Sequence, residues 1–145
     1  MAHPDLNELL DALLGMSETL LKEQGEFLPI GAVILSDGDL RHVGGQIDGD
    51  EYPGSQALID LLTENFQQWA SDGKLRAAGI CYDVLTVPPG KHQKQDAVCF
   101  GLEHWLGETA DVFRPYTRTE DGEFHFEDLF TAARQPQFFR TLPSQ

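Results

Sequence analysis

Two stretches carry the side chains best suited to chemistry: Cys81-Tyr82-Asp83, and Cys99 followed by Glu103-His104. A thiol beside an imidazole is a nucleophile with its base, and a carboxylate beside an imidazole is a general-base pair. Either needs its groups within hydrogen-bond reach. Both stretches read as strands, and antiparallel pairing brings them side by side. Side chains alternate along a strand, so Glu103 and His104 point to opposite faces, whereas Asp83 and Glu103 are expected to share one. Two close carboxylates can divide acid and base roles between them. The competing expectation pairs them with Arg76, Arg114 or Arg118 at the sheet surface. Asp83, Glu103 and His104 are therefore the candidate catalytic residues. The thiols are expected to be structural, because a reactive thiolate needs an electropositive neighbourhood.

That neighbourhood is scarce: 10 Lys and Arg stand against 24 Asp and Glu, for a formal net charge of -14. Such a field repels phosphate backbones and anionic headgroups, so neither nucleic acid nor a membrane surface is an expected partner. It attracts a basic protein, and the carboxylates best placed to do so are Asp48, Asp50, Glu51, Glu120, Asp121 and Glu123. The clusters around Asp37-Gly38-Asp39 and Asp48-Gly49-Asp50-Glu51 also invite a calcium reading. An EF-hand loop starting at Asp48 puts Pro53 where glycine is required, and turn chemistry explains both clusters, so no metal is expected. No phosphate-binding, dinucleotide, zinc-protease or nucleophile-elbow motif occurs, and no cofactor is expected.

The elements that must position these residues follow from periodicity and turn residues. Leucines from Leu6 to Leu21 recur at three- and four-residue steps between Pro4 and Gly25, which predicts an amphipathic helix over Asp5 to Gln24. Leu28 to Ser36, the turn Asp37-Gly38 and a strand to Val43 predict a hairpin whose first strand becomes useful near Ile30, after Pro29. A second helix is expected over Gln56 to Ala70, capped by Ser55 and stopped at Asp72-Gly73. Strands follow over Leu75 to Val87, Ala97 to Leu106 and Val112 to Arg118, then the turn at Asp121-Gly122 and Phe124-His125-Phe126. A short helix is expected around Glu127 to Ala133, with Gln135 to Gln145 trailing over the surface. His42 and His92 read as solvated, and His125, between two phenylalanines, as the outward residue of an edge strand.

Helix, hairpin, helix and a run of strands do not alternate as a parallel sheet requires. The prediction is one α+β domain over residues 1–145: a mainly antiparallel sheet of five to six strands, two main helices and a short C-terminal helix. The longest apolar run, Ile30 to Leu35, is far below the roughly 20 residues of a membrane helix, and no secretory leader is evident. With only Cys81 and Cys99 in place of a disulfide framework, a reducing cytoplasm is expected.

The element order resembles that of the roadblock and profilin-like scaffolds, which implies helices packed on a central antiparallel sheet and no particular function. The segments Phe27-Leu28-Pro29-Ile30-Gly31-Ala32, Ala77-Ala78-Gly79-Ile80-Cys81-Tyr82-Asp83-Val84, Asp96-Ala97-Val98, Leu102-Glu103-His104 and Pro115-Tyr116 together resemble a small uncharacterised bacterial family. The resemblance implies a bacterial origin and no catalytic residues. Two functions are expected in order: a non-catalytic interaction protein, immunity-type or adaptor, presenting an acidic face to a basic partner; or a small enzyme or ligand-binding domain with Asp83, Glu103 or His104 in a pocket on the sheet. A homodimer through a sheet edge or helix face is the third.

Overall fold

The leucine spacing near the start of the chain produces helix α1 (Pro4–Gln24), with Leu6, Leu9, Leu13 and Leu21 buried. Pro4 opens its first turn, the backbone N–H of Asp5 donates to His3 Nδ1, and Gly25, in the left-handed region at φ 79°, donates its N–H to the Leu21 carbonyl. Proline preset for the first turn and glycine free of a Cβ at the stop account for both ends.

In this computed structural model, which describes residues 3–44 and 54–139, the remaining elements are β1 (Ile30–Leu35), β2 (Leu40–Gly44), α2 (Ser55–Ser71), β3 (Leu75–Thr86), β4 (Gln95–His104), β5 (Thr109–Arg118), β6 (Phe124–Phe126) and β7 (Phe130–Ala132). The strands form one sheet in the order β2-β1-β3-β4-β5-β6, and every pairing is antiparallel. Strand β7 lies beside β6 on the outer edge of β5, opposite Asp111 to Phe113. This is the α+β architecture the sequence predicts, with slightly more strands. No described helix is long and apolar enough to cross a membrane.

Pleating sorts the core into two layers. Ala77 and Cys81 of β3, with Val98, Phe100 and Leu102 of β4, pack under the leucines of α1. Ala78 and Ile80 face the other way and pack with Leu62 and Phe66 of α2. Each helix sits close over a glycine: a Cβ at Gly79 lies 3.0 Å from a Leu13 methyl, and one at Gly31 lies 2.7 Å from the Phe66 ring.

Three local expectations change. The C-terminal helix is absent: Phe130 to Ala132 complete the open edge of β5, and the Phe130 ring stacks on Phe113 at 4.9 Å. Unpaired edge groups outcompete the weak helical preference of so short a segment. Ser55 is the first residue of α2, and Gly54 occupies the cap without a side-chain bond. Residues 135–139 do not trail away, since Phe138 is buried among Val33, Leu62 and Phe66.

Candidate functional site

Register decides which candidate residues meet. Asp83 pairs with Val98 and Ala77 with His104, so Asp83 and His104 both face α1. They are six positions apart along β4, roughly 20 Å at strand spacing. Glu103, opposite Ala78, faces the α2 side. Glu103 and His104 therefore diverge as predicted, but Asp83 and Glu103 do not share a face, and the three do not converge.

Each instead has its own structural partners. Glu103, fully buried, accepts from Arg134 Nε at 2.9 Å and from the backbone N–H groups of Gln137, Phe138 and Phe139 at 2.8, 2.9 and 3.2 Å. The guanidinium of Arg134 also donates to Asp111 at 2.9 Å and covers Gly101, where a Cβ would sit 2.5 Å from Arg134 Nη1. Arg134, rather than Arg76, Arg114 or Arg118, is thus the partner of Glu103. Its carboxylate holds the chain after β7 against the sheet.

Asp83 accepts from the Tyr116 hydroxyl at 2.7 Å. Although Asp83 remains exposed to solvent, partial desolvation pushes its carboxyl above the ordinary range, an effect that the Tyr116 bond partly offsets. A raised folded-state value means that the folded chain holds the proton longer, so this group's contribution to stability falls as pH rises from the unfolded value through the folded one. Asp83→Asn keeps an acceptor for Tyr116 and removes the charge from this partly desolvated, still exposed position. We expect a higher urea midpoint than wild type at pH 7, and a gap that closes below pH 4. A variant weaker than wild type at pH 7 contradicts this.

His104, only 2% exposed, belongs to a cluster that sequence reasoning missed. The Leu106 N–H donates to its Nδ1 at 3.2 Å, which fixes Nε2 as the protonated nitrogen, donating to Asp5 Oδ2 at 2.9 Å. Asp5 also receives Arg76 through a fork, Nη2 to Oδ1 at 2.8 Å and Nε to Oδ2 at 3.2 Å. The His3 ring stacks on His104 at 4.0 Å. The Arg76 hydrogen bond, more than any other contact, holds the Asp5 carboxyl below its ordinary range. A shift of pairing between Ile34 and Leu35 leaves Arg76 as the extra residue of a β-bulge, which turns it toward α1.

Potential ligand atoms of His3, Asp5 and His104 lie within 4.8 Å of one another. Their lone pairs are already committed: His3 Nδ1 to the Asp5 N–H, His104 Nδ1 to Leu106, and Asp5 to Arg76 and His104. A metal must displace Arg76 and reverse the His104 tautomer, so the cluster reads as a tether between α1 and the end of the sheet. The same commitments leave His104 no free nitrogen for general-base work.

No family model, curated protein or solved structure matches this chain.

Beyond Arg76 lies an open groove of about 850 Å³, lined by Ser36, Gln67, Ala70, Ser71, Gly73, Leu75, Arg76, Trp105, Phe138 and Phe139. Glu103 positions two of its walls, because the N–H groups it holds belong to Phe138 and Phe139. On the β4–β5 turn, Trp105 is 58% and Leu106 66% exposed.

The acidic candidates divide. Glu120, Asp121 and Glu123 are exposed on the β5–β6 turn, where the Thr119 hydroxyl donates to Asp121 and holds its carboxyl below the ordinary range. In the first Asp-Gly-Asp cluster the Asp39 N–H donates to Asp37 at 2.9 Å, which is turn chemistry. Asp48, Asp50 and Glu51 lie outside the described residues. His42, His92 and His125 are exposed. Cys81 and Cys99 are both buried, on opposite faces, and burial raises both thiols, Cys99 to about 11. Neither is a poised nucleophile.

Proposed function

We propose that this chain is a non-catalytic protein-interaction module, immunity-type or adaptor, that binds through the groove beside Trp105. The carrying observation is an exposed Trp and Leu on the rim of a groove walled by Phe138, Phe139 and Arg76. Trp and Arg are the residues that most often dominate binding energy at protein interfaces, and large exposed apolar side chains lose free energy in water until covered. The enzymatic alternative lacks the convergence it required: Asp83, Glu103 and His104 are dispersed, and each is held by structural partners.

A bacterial cytoplasm is part of the same proposal. The family resemblance and two free, buried thiols support it. The acidic loop at Glu120, Asp121 and Glu123 is then a contributor to solubility and to association rate.

The test compares stoichiometric captures from host lysate by wild type, Trp105→Ala, and a Glu120→Gln/Asp121→Asn/Glu123→Gln variant. We expect one partner whose affinity drops at least tenfold with Trp105→Ala and changes little with the loop variant. Capture that depends on the loop and ignores Trp105 refutes the groove as the binding surface.

A further inference from the structure

The groove and its rim differ in charge. On a chain of net charge -14, none of the described residues lining the groove is acidic. The one cation among them, Arg76, is already neutralised by the Asp5 fork. Its floor therefore favours an apolar or aromatic side chain.

The rim is acidic. Asp37 follows the lining residue Ser36, and Asp72 lies between lining residues Ser71 and Gly73; both are exposed, whereas the Glu108 carboxylate is engaged by the His3 N–H at 2.8 Å. Among the described neighbours, Lys74 is the exposed cation.

We infer that the groove takes a polypeptide segment of a partner protein with an aromatic or aliphatic anchor flanked by Lys or Arg. The anchor fills the apolar floor, and the flanking cations meet the rim carboxylates and the face of Trp105, where a guanidinium or ammonium is attracted by the ring. A polypeptide fits better than a small molecule because Trp105 and Leu106 extend apolar surface beyond the groove, which a ligand seated within it leaves uncovered. This inference rests on the interaction-module reading and adds the chemistry of the partner.

The test pans a displayed library of random heptapeptides against the full chain at low salt, with Trp105→Ala as the counter-target. Synthetic consensus peptides are then titrated against wild type, Trp105→Ala and Asp37→Asn/Asp72→Asn, each first matched to wild type in unfolding midpoint. We expect an apolar anchor flanked by Lys or Arg, binding at least tenfold weaker to Trp105→Ala and several-fold weaker to the rim variant, with a Kd that rises with salt. A neutral or acidic consensus that still needs Trp105 overturns the inference and leaves the interaction module standing. Absence of any Trp105-dependent enrichment overturns both. A concentration-dependent dimer abolished by Trp105→Ala identifies a second copy of the chain as the occupant, and the inference fails.

Discussion

Glu103→Ala is expected to cost about 3–5 kcal/mol, the range for removing one partner of a buried ion pair. The loss has two parts. The Arg134 guanidinium, whose side chain is 10% exposed, keeps Asp111 but loses its fully buried partner. The N–H groups of Gln137, Phe138 and Phe139 lose their acceptor at the same time. Against a typical domain stability of about 5–15 kcal/mol, the variant sits near the edge of folding. Urea unfolding measures the loss, and the double variant Glu103→Ala/Arg134→Ala should lose less than the sum of the single variants, because both charges leave together. A loss below about 1 kcal/mol shows that the chain after β7 does not depend on this carboxylate. Glu103→Gln keeps one carbonyl oxygen for the backbone donors while setting an amide N–H₂ against them or Arg134, so an intermediate loss is expected.

Asp5→Ala is the second large effect. It strips the acceptor from the buried Nε2–H of His104, a change worth about 1–3 kcal/mol. It also removes the negative charge in the first turn of α1, where the helix dipole favours one. The sign of the pH dependence follows from the depressed carboxyl of Asp5. A folded-state value below the unfolded one contributes stability that is present above the unfolded value of 3.8 and is lost as pH falls through the folded one. The gap between wild type and Asp5→Ala in urea midpoint should therefore be widest near neutrality and narrow below pH 4. An equal gap at pH 7 and pH 3 rules out the charged form of Asp5 as the source.

Much of the fold was legible because its determinants are local. Leucine spacing, Pro4 and Gly25 mark α1, and Asp37-Gly38 marks the first hairpin, whatever the rest of the chain does. Register was not legible, since a one-residue slip exchanges the faces of every side chain. That parity separates Glu103 from Asp83, and no feature of either strand alone reveals it. The bulge that turns Arg76 toward Asp5 arises where the pairing of β1 and β3 shifts, and is hidden for the same reason. Phe130 to Ala132 were misread because the open edge of β5 is a tertiary feature.

The tether could have been suspected. Asp5 sits one helical turn before Leu9, on the spacing of the buried leucine stripe, and an ionisable residue there needs a partner. Which partner was beyond reach, because Arg76 and His104 lie 71 and 99 residues away.

Those separations also bear on biosynthesis. When α1 leaves the ribosome, β3 and β4, which supply most of its contacts, have yet to be made. At about 5–20 residues per second, the interval between Asp5 and His104 is roughly 5–20 s. Through it the leucine face of a nascent, marginally stable helix stays open to water, which makes this segment a ready client for ribosome-associated chaperones until β4 emerges.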